Sequence, residues 1–265
     1  MERMQFEVKA LQSRLTGRRI GSLLHYIETV DSTNRVALRL AQQGAVEGTV
    51  VLADCQTAGR GRLNRGWQSP PGCNLYLSVI LRPPVAPPDA APITLLAGVA
   101  AAEAIASVCA EGVGIKWPND VRIRGRKVCG ILTEMRTDGG KQALIVGIGL
   151  NVNIRKGDFD PGLCDTATSL REETGRDHSR EDLFLLLCER LEQWYEIFLH
   201  AGFAPVREGW LVRSEMAGKH VRILFGDQVQ EGVVEGIDRD GALLIVDGQG
   251  EVRRITAGDA TIIKG

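Results

Sequence analysis

A chain of 265 residues, 44% of them hydrophobic, is long enough to bury a large core and to carry a second, smaller unit. With Lys+Arg 32 against Asp+Glu 33 the net charge is −1, which argues against a nucleic-acid-binding surface and makes any basic cluster a local feature. Six cysteines with no C-x-x-C pair and no secretory leader read as reduced thiols of a cytoplasmic protein. The longest apolar stretch, Ile93 to Cys109, is broken by Glu103 and falls short of the ~20 residues a membrane span needs.

In chain order, Met1 to Gly21 reads as a short leading helix or extension. Leu23 to Val30 has strand propensity. Asp31-Ser32-Thr33-Asn34 then offers N-caps for a helix that Gly44 stops, so Ser32, Thr33 and Asn34 fall at a helix N-terminus. Thr49 to Gln56 and Asn74 to Leu81 are strand runs, Pro83 to Pro88 an extended surface connection, and Ile93 to Cys109 a buried alanine-rich helix. From Gly114 strands return: Val121 to Arg124, Lys127 to Met135 after a Gly125 turn, and Gln142 to Ile154 after a Gly139-Gly140 turn. This meander is expected to be antiparallel, with Gln142 to Ile154 on an exposed edge that would permit a homodimer. Ser179 caps a helix that places Leu183, Leu186, Leu187, Leu191, Trp194 and Phe198 at three- and four-residue spacing. After Gly218 the period drops to two between the turns Gly226-Asp227, Asp240-Gly241 and Asp247-Gly248, the pattern of a small separate β-barrel behind a linker between Trp210 and Gly218.

The chemistry is concentrated in a few segments. Gln56-Thr57-Ala58-Gly59-Arg60-Gly61-Arg62-Leu63-Asn64-Arg65-Gly66-Trp67 follows a strand with glycines that let backbone N–H groups approach a ligand and arginines whose forks match carboxylate and phosphate oxygens. Trp67 could stack on a base; a flexible charged turn between strands is the plainer alternative. Lys116-Trp117-Pro118-Asn119-Asp120 is either a structural turn or a place where Asp120 holds Mg²⁺ beside phosphates. Lys127, followed by Val128 and Cys129, either snorkels to solvent or points into a site that needs a cation. Gly147-Ile148-Gly149-Leu150-Asn151 fits a strand bordering a ligand cavity or a bulged core strand. Asn64 stands where a third dinucleotide-fingerprint glycine would be, and Ile131-Leu132 where a P-loop needs Lys-Ser/Thr, so both common phosphate motifs are excluded. His25, His178, His200 and His220 are scattered without metal-ligand spacing.

In their order along the chain, these segments, with Lys127-Val128-Cys129-Gly130-Ile131-Leu132-Thr133-Glu134, resemble the biotin protein ligases from about Ile27 to the C-terminus. The resemblance implies an α+β fold: a central mixed sheet flanked by helices, of the class II aminoacyl-tRNA synthetase/biotin synthetase type, plus a small C-terminal β-barrel. The expected division is an extension at 1–24, a catalytic unit at 25–215 and the barrel at 216–265. It implies activation of biotin by ATP and Mg²⁺ to biotinyl-5′-AMP, then transfer to a lysine of a biotin carboxyl carrier protein. By the family's pattern Ser32, Thr33, Asn34, Gln56, Gly59, Arg60, Gly61 and Arg62 would bind biotin. Lys127 would bridge its carboxylate and the α-phosphate, and Trp67, Asn119, Asp120 and Asn151 would face the nucleotide, with Asp120 toward the metal. The pattern is departed from at Asn64, which tolerates left-handed backbone, at Gly66, where a basic residue is often expected, and near Lys264, where Ile263 competes for the place of a C-terminal arginine. Only thirty residues precede Asp31, too few for the winged-helix domain of repressor members, so operator binding is not expected. A lipoate or octanoyl ligase, and a biotin sensor without turnover, are the competing readings.

Overall fold

The computed structural model describes residues 6–84, 91–138 and 141–263. Its core is a seven-stranded sheet built from β1 (Leu24–Val30), β2 (Val50–Gln56), β3 (Leu75–Leu81), β4 (Val113–Lys116), β5 (Asp120–Ile123), β6 (Arg126–Asp138) and β7 (Lys141–Leu150) in the order β1-β2-β3-β7-β6-β5-β4. β1 and β2 are parallel and every other pair is antiparallel, so the sheet is mixed. Gln142 to Ile154 was expected at an edge, but β7 lies in the interior, bonded to β3 on one side and β6 on the other. Its backbone groups are already paired, so it offers no free edge for dimerisation. The Pro83 to Pro88 connection from Val85 onward and the Gly139-Gly140 turn lie outside the described residues.

One face of the sheet is sealed by α3 (Ala91–Ala106), with α5 (Arg180–Ala201), α6 (Ala204–Arg213) and α1 (Val8–Leu15) packed around it. Small side chains let α3 lie close to its neighbours: Ala97, Ala100, Ala101, Ala102 and Ala104 are all buried. α5 starts where expected, with the Ser179 hydroxyl accepting from the Asp182 amide, and buries Leu183, Leu187, Leu191 and Phe198. The opposite face is covered only at one end, where α2 (Thr33–Gln42) lays Val36, Ala37 and Ala41 against Val51, Ile80, Ala143 and Ile145. Among the described residues no other α-helix of the sheet's flanking set packs on that face, and the candidate site occupies it.

The stretch after Trp210 is not a loose linker. Trp210 is buried within α6, which runs to Arg213; Ser214 then pairs with Ile115, and buried Met216 accepts the Trp117 amide through its sulfur. The C-terminal part is a five-stranded antiparallel sheet of β8 (His220–Phe225), β9 (Gln228–Ile237), β10 (Leu243–Val246), β11 (Val252–Ile255) and β12 (Asp259–Ile262), ordered β11-β10-β9-β8-β12. A short α4 (Leu170–Thr174) closes the irregular segment after β7. No helix among the described residues is long and apolar enough to cross a membrane.

Candidate active site

A single row of cross-strand partners runs over the uncovered face: Tyr76, Gly149, Gly130, Asp120 and Lys116. Directly paired residues point to the same side of a sheet, so this row defines one continuous strip. Its glycines are required by what lies above them. A Cβ on Gly149 would stand 2.4 Å from the Trp67 indole and one on Gly130 2.9 Å from it; one row along, a Cβ on Gly147 would be 2.1 Å from Asn34 Oδ1. The sheet therefore carries a glycine floor with Trp67 and the start of α2 set directly on it.

Lys127 reaches this strip because of an irregularity in β6. Val121 pairs with Cys129 and Arg122 with Lys127, which leaves Val128 as an extra residue. In a regular strand Lys127 would alternate onto the face of Cys129, toward the core; the bulge re-aims it. The side chains of Val128 and Cys129 are both buried, and burial pushes the Cys129 thiol up to about 12. The Lys127 ammonium lies 2.6 Å from Asp120 Oδ1 and 5.3 Å from the centre of the Trp67 ring. Its backbone is pinned by the segment after β7: its amide donates to Thr166 O and its carbonyl accepts from the Thr168 amide.

The first turn of α2 holds a connected polar group. Gln56 Oε1 accepts from the Thr33 amide at 2.9 Å, and Gln56 Nε2 donates to Ser69 Oγ at 3.0 Å. Asn34 Nδ2 donates to Leu132 O and, at 2.7 Å, to Glu134, while Ser78 Oγ stands 2.6 Å from Asn34 Oδ1. Ser32 is 2% exposed and occupies the N-cap position, yet its hydroxyl does not cap the helix. That leaves the hydroxyl, together with the positive end of the helix dipole, for another acceptor.

The loop from Gly59 to Trp67 folds back on itself. The Trp67 amide donates to Gly59 O, the Gly61 amide to Arg65 O, and Leu63 and Asn64 both adopt positive φ, 54° and 58°. Asn64 thus keeps the left-handed turn without a glycine. Gly59 is irreplaceable, since a Cβ there would meet Trp67 O at 2.5 Å, whereas Gly66 has open space around it. Arg60 is tied to Glu134 at 3.1 Å. Arg62 donates to Asn119 Oδ1 and Gly258 O and lies 3.7 Å from Asp259, which also pairs with Arg65. Burial lowers the Arg62 guanidinium below the ordinary arginine value, opposed by the charges of Asp259 and Asp120. Asn119 and Asn151 turn their amide nitrogens to Ile131 O and Thr168 O.

The residues singled out in the sequence thus converge on one face. Asn151 is buried and fixes the segment that clamps Lys127. Lys264 lies outside the described residues. Three contributors were not singled out in the sequence, Ser69, Ser78 and Asp259, and Glu134 stood there only as the end of the Lys127 segment, with no role of its own. Ser78 is the one polar residue of an otherwise apolar β3, a pattern that could have drawn notice. Asp259 comes from the C-terminal sheet, 194 positions after Arg65 (259 − 65), where no local pattern could connect them. Among the described residues no group of three or more His, Cys, Asp or Glu side chains could hold a metal.

A mixed sheet with a glycine floor, an arginine loop and a C-terminal sheet that reaches back to that loop defines the class. Residues 26–151 match the Biotin/lipoate A/B protein ligase family and residues 217–261 the Biotin protein ligase C terminal domain. The chain is 39% identical over 220 residues to a biotin–acetyl-CoA-carboxylase ligase of Paracoccus denitrificans, covering 81% of this chain and 90% of that one. It is 32% identical over 273 residues to the Mycobacterium tuberculosis protein of the same name, covering 99% and 97%. The structure of the Aquifex aeolicus biotin protein ligase in complex with biotin and ATP superposes with a TM-score of 0.80 at 32% identity, over 92% of this chain and 99% of that one. The chain belongs to the biotin protein ligase family, a family of enzymes.

Proposed function

We propose that the protein is an active biotin ligase that joins biotin to ATP as biotinyl-5′-AMP and then passes the biotinyl group to a lysine of a biotin carboxyl carrier protein. The observation that carries this reading is the re-aimed Lys127, a fixed ammonium on the glycine strip beside Asp120 and beneath the Trp67 loop. Two anions, a carboxylate and an α-phosphate, must approach each other before they can react. A cation held in place beforehand lowers that repulsion and meets the charge that builds on phosphate oxygen. Gln56 and the first turn of α2 supply placed donors and acceptors of the kind a ureido ring needs, with Ser32, Thr33 and Asn34 around it and the Gly59 to Arg62 backbone above. Trp67, Asn119, Asp120 and Asn151 then take the nucleotide side, and Mg²⁺ would enter on the phosphates with Asp120 as its protein carboxylate.

In this reading residues 25–215 form the catalytic unit, 216–265 the C-terminal unit and 1–24 an extension carrying α1. The acceptor is the carrier domain of a biotin-dependent carboxylase, met in the cytoplasm. No observation favours lipoate or a turnover-free sensor, since cradle, lysine and carboxylate stand together. The decisive test incubates the protein with biotin, Mg·ATP and a biotin carboxyl carrier domain and weighs the carrier intact. Addition of one biotinyl group is expected; an unmodified carrier would overturn the proposal.

Arg62 couples the loop to the C-terminal sheet, so its loss should loosen the lid over the intermediate. Arg62→Ala is expected to release biotinyl-5′-AMP into solution several-fold faster, as a lost charge-assisted contact of about 1–2 kcal/mol implies. Filtration of a single-turnover mixture measures this, and unchanged retention would remove Arg62 from that role.

A further inference from the structure

Glu173 is a buried carboxylate that the row of site residues does not include, yet its side-chain partners all lie beside Lys127. It belongs to α4, its side chain is 1% exposed, and it accepts from Arg124 at 2.8 Å, from Arg126 at 2.8 Å and from the Thr168 hydroxyl at 2.7 Å. Arg126 immediately precedes Lys127, and Arg124 stands in the turn before it. Thr168 is the residue whose amide donates to Lys127 O. One carboxylate therefore ties the strand that carries Lys127 to the segment paired alongside it. None of these bonds reaches α3, α5 or the C-terminal sheet, so the network serves this corner alone. Burying a charge for stability is a poor choice when an apolar side chain of similar size would pack as well; fixing a register is the better-attested use.

The register of the β5–β6 hairpin needs such fixing. Its two turn residues, Arg124 and Gly125, both have positive φ, 48° and 78°, the geometry that suits the twist of the flanking strands. Glycine adopts it freely, but an arginine rarely does, so Arg124 must be held there. Its amide bonds to Gly112 O and its guanidinium to Glu173. The bulge follows at once: Ile123 pairs with Arg126, Arg122 with Lys127, then Val121 with Cys129. A relaxed turn would let the extra residue move, and a slip of one residue carries a side chain to the other face of the sheet. We infer that Glu173 is a positioning residue for Lys127. By locking the turn and the Thr168 segment together it keeps the bulge at Val128 and the ammonium over the glycine strip. It acts through Lys127 and touches no substrate, and the inference rests on the adenylation proposed above.

A double-mutant cycle separates this role from a general structural one. Glu173→Gln keeps the shape of the side chain but turns an amide N–H₂ toward a guanidinium, which frees one of the two arginines. Pyrophosphate release at saturating biotin and Mg·ATP should slow roughly thirtyfold or more, as a misplaced catalytic group implies, while the Kd for biotin stays within about threefold of wild type. Damage spread through the fold would slow Lys127→Ala further, whereas loss of a residue that acts through Lys127 would not. The double variant Lys127→Ala/Glu173→Gln should therefore release pyrophosphate within about twofold of Lys127→Ala alone. Should Glu173→Gln fail to fold, Arg126→Met, at a partly exposed side chain, carries the same cycle; a loss of about fivefold or more is expected there, again absent when Lys127 is alanine. Wild-type release in the folded single variant, or losses that multiply in the double variant, would overturn the inference. Failure of the underlying reading looks different: the unaltered protein itself would form no adenylate.

Discussion

Lys127→Ala should slow adenylate formation about a thousandfold, while biotin affinity falls by no more than roughly tenfold. The asymmetry follows from when the contact forms. In the free protein the ammonium is balanced by Asp120 at 2.6 Å, so ground-state binding of a carboxylate must share it. As the carboxylate oxygen closes on phosphorus, negative charge grows on the phosphate oxygens beside Lys127, and the interaction strengthens just then. A preorganised donor aimed at developing charge is worth about 3–4 kcal/mol, or two to three powers of ten in rate. A residue that merely packed against Trp67 would affect binding and turnover together. Pyrophosphate release under saturating substrates, set beside biotin titration calorimetry, separates the cases. Wild-type release by the variant would return Lys127 to the class of lysines that reach out to solvent.

The bulge at Val128 explains why this lysine could not be assigned from sequence alone. Strand alternation relates Lys127, Cys129 and Ile131 as one face, and the buried Cys129 and Ile131 would then carry the lysine toward the core. Only the pairing of β6 with β5 reveals the extra residue, and pairing is a long-range property. The Gly59 to Trp67 loop was legible because its constraints are local: Asn64 tolerates positive φ, and the loop closes on itself between Gly59 and Trp67. Its charges were not, since their partners Glu134, Gly258 and Asp259 come from distant elements. The same distinction accounts for β7. Its apolar run declares a strand, but nothing local distinguishes an edge from an interior position. α6 escaped because Ala204 to Arg213 contains Gly209 and the β-branched Val206 and Val212, weak helix formers that packing of Val206 and Trp210 overrides, while Pro205 sits in the first turn, where it is compatible with a helix start.

The second large effect is expected from a single methyl group. A Cβ on Gly147 would stand 2.1 Å from Asn34 Oδ1 and 3.0 Å from its Nδ2, well inside contact distance. Neither partner can give way freely. The backbone of β7 at this point is laddered to Ser78 of β3 and Leu132 of β6, and α2 is fixed by Val36 and Ala37 packed on Val51 and Ile145. Asn34 must therefore rotate, and it gives up its bonds to Leu132 O and Glu134 and its contact with Ser78. Glu134 also anchors Arg60, so the disturbance passes into the cradle. Those internal bonds are lost with or without ligand and so lower stability, while the displaced first turn of α2 forfeits two or three contacts to biotin at about 1 kcal/mol each, which predicts roughly a hundredfold weaker biotin binding in Gly147→Ala. The sheet should survive, because the face behind Gly147 is untouched. Gly162→Ala, at a glycine with nothing within 4 Å, is the matched control and should bind biotin as the wild type does. Calorimetric titration with biotin, alongside thermal unfolding of both variants, reads the two quantities separately. Wild-type biotin affinity in a folded Gly147→Ala protein would mean that the first turn of α2 does not form the biotin pocket.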